Sequence, residues 1–284
     1  MSAASESRSF RFPRIPISAW IGLIVSGLFL FAAIFAPWVA PFGNAQIVGD
    51  VWEPISGAHW LGTDNLGRDL LSRMIFGART TITIAAAATV LSFGLGSVLG
   101  FTAAVIGGWF DQLLSRGVDL LMSIPTLIFA LVVLSVLPGT MLILILVMGI
   151  LDATRVYRLA RAVAVDINVM DFVEAAKLRG EGRIWVIFRE ILPNALSPLV
   201  AELGLRFIFA VLFLSALSFL GLGVQPPAAD WGAMVKENKE GIVFGIPAAL
   251  IPAAAISILA ISVNLVADWV LNRTSDLKGG RGNG

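Results

Sequence analysis

The sequence predicts an all-α polytopic membrane protein with six transmembrane helices. Of its 284 residues, 57% are apolar and only 14% are charged, and the mean hydropathy is +0.88. Soluble domains average about 45–50% apolar and about 25% charged residues, so this chain has too few charges to cover a water-exposed surface. The second observation is the length of its apolar stretches, because a membrane span needs about 20 mostly apolar residues. Six such stretches are present.

Turn residues or charged segments separate the six predicted spans. The spans cover residues 19–35, 80–106, 123–137, 141–151 (running on toward 157), 199–222 and 246–270. Only Pro138-Gly139 divides the third from the fourth, and because this pair is a turn signal we expect a tight hairpin there. Arg8, Arg11 and Arg14 precede the first span as they would in a signal peptide, but its length and the five further spans favour an uncleaved anchor.

The distribution of cations predicts that both termini are cytoplasmic. With the N-terminus inside, the inner segments hold 14 Lys and Arg residues and the outer segments hold 5, with Arg206 in the fifth span. Cytoplasmic loops of membrane proteins carry an excess of such residues. The predicted organisation is an inner tail (1–18), a first helix (19–36), an outer segment (37–77), a membrane domain (78–271) and an inner tail (272–284).

Several function classes are disfavoured by residues that the chain lacks. It has no cysteine, which removes disulfide, thiol and iron–sulfur chemistry. Its one histidine, His59, is expected to be a hydrogen-bonded loop residue rather than a nickel ligand. No Gly-Lys dipeptide occurs, so a P-loop for ATP is missing, and a net charge of +1 disfavours nucleic-acid binding. We expect no catalytic residue, cofactor or metal on this chain.

The predicted inner loop, from about 166 to 197, contains residues that are typical of the ends of short helices. Asp171 followed by Glu174 resembles a capping box, and Gly180 stands where a left-handed residue would end a helix over 172–179. Ser197-Pro198 predicts the N-cap and first helical position of the fifth span. Phe172, Ala176 and Arg179 would share one helix face. From these helix-end signals alone, the loop could equally be a solvated connector whose charges only set the membrane topology.

The same loop carries a motif of a known family. Glu174-Ala175-Ala176, Gly180 after three residues, and Leu192-Pro193 resemble the EAA motif of permease subunits of ATP-binding-cassette (ABC) importers. The family pattern has an isoleucine where this sequence has Glu190, followed by Ile191. The resemblance implies a short helix that docks on an ATPase subunit, with Ala175 and Ala176 permitting close contact. The implied coupling residues are Phe172, Glu174, Ala175, Ala176, Lys177, Arg179, Gly180, Leu192 and Pro193.

Two further blocks narrow the resemblance. Residues 59–69 with 72–79, and residues 218–232, are similar to C-type permeases of dipeptide, oligopeptide and nickel importers. This implies a type I ABC importer transmembrane domain in a bacterial inner membrane, forming half of a pathway for peptides or a similar small solute. The implied partners are a sister permease, two ABC ATPases that bind ATP and Mg²⁺, a periplasmic solute-binding protein and membrane lipid. Trp60 and Trp231 are candidate contacts for the binding protein.

Two other function classes make different predictions. An ion-coupled secondary transporter or channel would carry several mid-span carboxylates and repeated halves, and a membrane enzyme would need a cluster of His, Asp or Ser. Neither pattern is evident. Glu202 and Arg206, four residues apart, are expected to form a structural ion pair, and Gly96 and Gly100 to permit close helix packing. The resemblance leaves dipeptides, oligopeptides, nickel, opines and short sugars open as cargo.

Overall fold

The structure, a computed structural model, describes residues 16–279, with side chains up to Arg273, and consists of helices and connecting loops. Among these residues the only β pairings are isolated bridges. The cations at Arg8, Arg11, Arg14 and Arg281 lie outside the described residues. The α-helices are α1 Ile17–Ile34, α2 Ala36–Val39, α3 Leu70–Ile106, α4 Gly108–Ser123, α5 Thr126–Val136, α6 Met141–Asn168, α7 Asp171–Leu178, α8 Arg183–Trp185, α9 Leu192–Phe219, α10 Trp231–Asn238 and α11 Leu250–Gly279.

Within the described residues, four helical stretches are long and apolar enough to cross a membrane. They are Ile17–Ile34, Leu70–Ile106, Arg183–Phe219 and Pro247–Arg273. Helices α4 and α5, bent by 85° at the break between them, would make a fifth span if they cross together. The 28-residue α6 is about 42 Å long at 1.5 Å per residue, but Asp152, Arg155 and Arg158 make its second half more polar. The structure therefore supports four or five spans, and α6 stays the predicted sixth.

The bounds of two predicted spans differ from those observed. Helix α3 begins at Leu70, ten residues before the predicted start, because Asp69 caps it by accepting a hydrogen bond from the Ser72 N–H. The predicted third span corresponds to α5, and the break before it falls at Ile124-Pro125, where proline cannot continue the hydrogen-bond pattern of α4. The turn at Pro138-Gly139 is confirmed between α5 and α6.

The predicted start of the fifth span at Ser197-Pro198 is wrong. The chain is helical from Arg183 to Phe219, with a π-helical turn at Val186–Ile191, and Pro198 lies inside α9. Ala195 and Leu199, on either side of Ser197, are buried in an apolar cluster with Ile191. This packing holds the helix together across a proline that would otherwise weaken it.

Helix α3 is the centre of the packing and contacts α1, α6 and α9. Its glycines allow α6 to approach closely: a Cβ at Gly96 would lie 2.7 Å from the Ala153 carbonyl oxygen, and one at Gly100 would lie 2.8 Å from that of Tyr157. The prediction that Gly96 and Gly100 serve helix packing is confirmed. Following the predicted orientation, we call the end with residues 41–69 and 220–249 the outer end, and the end with residues 169–191 the inner end.

Candidate functional site

A two-turn helix lies at the inner end, where the coupling motif predicts one. Helix α7 runs from Asp171 to Leu178, but its N-cap is Met170, and no side chain caps it, so the capping box predicted from Asp171 and Glu174 is wrong. Its C-terminus follows the prediction. Gly180 has a φ of +85°, and its N–H donates to the Lys177 carbonyl (3.0 Å), while the Glu181 N–H donates to that of Ala176 (3.2 Å). This is a Schellman motif with glycine in the left-handed position.

Helix α7 is anchored to its own chain by two buried side chains. Val173 is fully buried in an apolar cluster with Phe101, Ala164 and Ile191 of the neighbouring elements, which we call the inner apolar cluster. Ala176 is fully buried as well. Ala176 therefore contacts this chain rather than offering a surface to a partner, and it does not share an accessible face with Phe172 and Arg179. Sequence reasoning missed Val173, although the apolar pair at i and i+3 was a readable signal for a buried face.

The other residues of α7 leave charges and apolar groups open to a partner. Glu174, Ala175 and Arg179 are exposed, and neither Glu174 nor Arg179 forms an ion pair with any residue in the described range. Leu178 is 83% exposed. We call this the coupling surface: the exposed residues Phe172, Glu174, Ala175, Leu178, Arg179, Ile184 and Phe188.

The remaining predicted coupling residues connect the coupling surface to the helices. The Lys177 ammonium donates to the carbonyl oxygen (3.1 Å) and to the side-chain amide oxygen (2.8 Å) of Asn168, the last residue of α6. Leu192 is partly buried against the inner apolar cluster. Pro193 is exposed and follows directly after the π-helical turn that ends at Ile191.

At the outer end, the sequence block around residues 59–73 folds around a buried carboxylate. Asp64 Oδ2 lies 2.7 Å from Arg68 Nε and 2.5 Å from Arg73 Nη1, and both arginines also contact Glu237, at 2.9 and 2.8 Å. Burial raises the pKa of Asp64, and hydrogen bonds from the Leu66 N–H and from Arg73 partly oppose that rise. Burial likewise raises the pKa of Glu237. We call these four residues the outer ion-pair network; they join the 41–69 segment to α10.

His59 belongs to the same folded segment. Its Nδ1 lies 3.0 Å from Asp69 Oδ1, and both side chains are buried. The other oxygen of Asp69 accepts hydrogen bonds from the Ser72 N–H (2.8 Å) and hydroxyl (2.7 Å) at the start of α3. The prediction of a hydrogen-bonded loop histidine is confirmed.

The two candidate tryptophans occupy opposite environments. Trp60 is 70% exposed, whereas Trp231 is fully buried. The indole N–H of Trp231 donates to the Met74 carbonyl (3.0 Å), and its ring meets Phe29 edge-on at a centroid distance of 5.3 Å. The prediction that Trp231 contacts a binding protein is therefore wrong, because this side chain joins α1, α3 and α10.

The buried Asp230 caps α10. Burial raises the pKa of Asp230 to about 6, and hydrogen bonds from Ser218 and from the Ala233 and Gly232 N–H groups partly oppose that rise.

Comparison with known proteins identifies the family. Residues 96–276 match the family described as binding-protein-dependent transport system inner membrane component. The chain belongs to this family. It is an all-α permease subunit of an ABC importer, of the type I membrane-domain class, as the motif resemblance implies. The matched region contains α7, Gly180 and Trp231, and it excludes Trp60.

Relatives of this permease cover most of its length. A dipeptide transport system permease of Alkalihalophilus pseudofirmus is 31% identical over 251 residues (88% of this chain, 83% of the relative). A di/tripeptide transport system permease of Pseudomonas aeruginosa is 34% identical over 254 residues (87% and 84%). A Brucella suis protein, provisionally named a peptide transport system permease, is 36% identical over 252 residues (87% and 84%). These similarities do not favour a secondary transporter or a channel.

Proposed function

We propose that this permease forms half of a peptide pathway in a bacterial inner membrane, with both termini cytoplasmic and six membrane spans. The family supplies the permease role, and the names of relatives at 31–36% identity favour peptides as the cargo. The observation that carries the coupling role is α7 itself. It is buried on one side through Val173 and Ala176, and on the other side Glu174 and Arg179 are exposed and form no ion pair with any described residue.

Helix α7 would transmit the motion of an ATPase to the spans as a rigid element. The inner apolar cluster joins Val173 of α7 to Phe101 on α3, Ala164 on α6 and Leu199 on α9. A displacement of α7 therefore moves the inner ends of three long helices together, which is how packed elements convert docking into a rigid-body change of access. Gly180 ends the helix and directs the chain toward α8.

Each proposed partner would have a separate role in transport. Two ATPase subunits would bind ATP and Mg²⁺ and dock on the coupling surface. A sister permease would complete the pathway, and membrane lipid would surround both subunits. A periplasmic solute-binding protein would dock at the outer end, where the exposed indole of Trp60 is the retained candidate contact, since large aromatic side chains are enriched in protein interfaces. This chain itself would perform no catalysis.

The first test is purification of the complex through this chain from mild-detergent extracts, with mass spectrometry of the copurifying proteins. We expect a second permease and P-loop ATPases, with ATP-dependent peptide transport after reconstitution. Recovery of this chain alone, folded and able to move solute without ATP, would contradict the proposal and favour an ion-coupled transporter.

A charge reversal tests the docking site. We expect Glu174→Lys to reduce ATPase recovery and transport, because the exposed carboxylate is available to a cation on the partner. Glu240→Lys is the matched control, since Glu240 is also exposed but lies at the outer end. Equal ATPase recovery with both variants would contradict docking at α7.

A further inference from the structure

A cavity of about 540 Å³ lies between α3, α5, α6 and α9, away from the coupling surface. Most of its walls are apolar, including Phe209 and Phe213, while its polar lining residues are Thr89, Thr126, Asp152 and Arg155. Ligand sites have this character: a concave apolar wall of roughly 300–1,000 Å³ with a few convergent polar groups. The cavity is large enough for a short peptide.

Two opposite charges face this cavity and are only loosely bonded. Arg155 Nη1 lies 3.5 Å from Asp152 Oδ1, and Arg155 Nη2 lies 3.3 Å from the Thr126 hydroxyl. Asp152 also contacts the Ser92 hydroxyl at 3.3 Å and Arg206 at 3.4 Å. Charge-assisted hydrogen bonds are usually about 2.7–2.9 Å long, so each of these contacts is longer than a strong one.

The neighbouring pair behind the cavity is held more closely. Arg206 Nε donates to Glu202 Oε1 at 2.7 Å, which confirms the predicted structural ion pair, and neither Arg206 nor Glu202 is among the residues that line the cavity. Glu202, Arg206, Asp152 and Arg155 therefore form one group with two negative and two positive charges, and of these four only Asp152 and Arg155 line the cavity. Charged residues within membrane segments are costly and commonly mark a substrate path.

We propose that the cavity binds a zwitterionic solute, with Asp152 facing its ammonium group and Arg155 its carboxylate. Loose internal contacts favour exchange, because a ligand that carries both charges replaces the Asp152–Arg155 contact without leaving a charge unpaired. Because the four charges together are neutral, binding of a simple cation or anion is also disfavoured, since either would give the group a net charge. The inference rests on the proposed peptide transport and assigns a binding step on that path to this subunit.

Cysteine protection in the purified complex tests this site. Because the chain has no cysteine, Leu212→Cys places a single thiol at the cavity wall. Val200→Cys is the matched control: both residues are on α9 and both are 45% exposed, but only Leu212 lines the cavity. The probes are alanyl-alanine and its uncharged form, N-acetyl-alanyl-alanine amide, and the measurement is the rate of maleimide attachment to this chain.

We expect alanyl-alanine, at about ten times its dissociation constant, to slow modification at residue 212 roughly tenfold. The uncharged peptide should give no protection, and modification at residue 200 should not change. Equal protection by both peptides, or protection at both positions, would overturn the proposal in favour of an unspecific apolar cavity or a global closure.

A second variant pair separates binding from structure. Arg155→Gln should raise the alanyl-alanine concentration needed for protection by roughly tenfold or more, because a hydrogen bond to a charged group is lost. Arg158→Gln, one turn away and outside the cavity lining, should leave that concentration unchanged, and unaltered protection in Arg155→Gln would overturn the assignment. If alanyl-alanine is transported without selective protection, only the assignment of a binding site to this cavity is contradicted. If ATP-driven transport is absent, the proposed function is contradicted, and this inference with it.

Discussion

At the outer end of the permease, Asp64, Arg68 and Arg73 are buried and bonded to one another, whereas at the inner end Glu174 and Arg179 are exposed and form no ion pair with a described residue. Both ends are charged, and both carry a sequence block that the family resemblance singles out. We expect the charges at the outer end to stabilise the fold, because they are paired within the chain. We propose that those at the inner end pair with a partner. Substitutions at the two ends should therefore fail in different assays.

The largest effect should come from the outer ion-pair network. Among the described residues, Asp64→Ala leaves Glu237 as the one carboxylate that still pairs with the buried Arg68 and Arg73. Breaking a buried pair from one side costs about 3–5 kcal/mol. We expect a large loss of folded protein and a lower unfolding temperature in detergent. Tryptophan fluorescence measures the unfolding temperature. Asp119→Ala is the control, because Asp119 forms an exposed pair with Arg158, and such pairs contribute about 0–1 kcal/mol. Equal losses in the two variants would show that the outer network does not stabilise the fold.

A similarly large loss of stability is expected when Trp231 is replaced, and no loss of stability is expected when Trp60 is replaced. Removal of a buried tryptophan costs about 3–5 kcal/mol, and Trp231→Ala also leaves the Met74 carbonyl without its indole donor. Trp60→Ala should leave the unfolding temperature unchanged while weakening capture of the solute-binding protein by the reconstituted complex. If Trp60→Ala lowers the unfolding temperature as Trp231→Ala does, Trp60 is a folding residue and its assignment to an interface fails.

The two tryptophans also show where sequence reasoning succeeds and where it stops. Composition and span length predict the membrane class, and glycine spacing predicts close helix packing at Gly96 and Gly100, because these features depend on local chemistry. Whether an outer-loop tryptophan is exposed depends on distant elements: Trp231 is covered by Phe29, more than 200 positions away in the chain, and by the α3 residues at Met74 and Gly77. No local pattern carries that information.

In the coupling segment, too, some features could be predicted from the sequence and others could not. Gly180 is predictable because its left-handed φ is a local requirement, and the EAA spacing places α7 correctly. Ser197-Pro198 misleads because a proline preceded by serine is a helix start only when packing permits the chain to enter there. In this permease, Ala195 and Leu199 are already buried in the inner cluster, so the helix continues through that point. Ala176 misleads for a related reason, since its small side chain suits the chain's own core as well as a partner surface.

The smallest change in stability, with a large change in function, is expected at Gly180. Its φ of +85° disfavours any residue with a Cβ by about 1–2 kcal/mol, although no atom lies within 4 Å of the position a Cβ would take. Gly180→Ala should therefore shift the end of α7 and reduce ATP-driven transport without preventing membrane insertion, and Gly180→Val should abolish transport. Gly182→Ala is the matched control, because Gly182 is equally open and has an ordinary φ of −74°. The measurement is transport per reconstituted complex, with ATPase recovery measured in parallel. Retained transport in Gly180→Val would show that the left-handed turn is not needed for coupling. The contrast between paired charges at the outer end and unpaired charges at the inner end would then rest on the exposed charges alone.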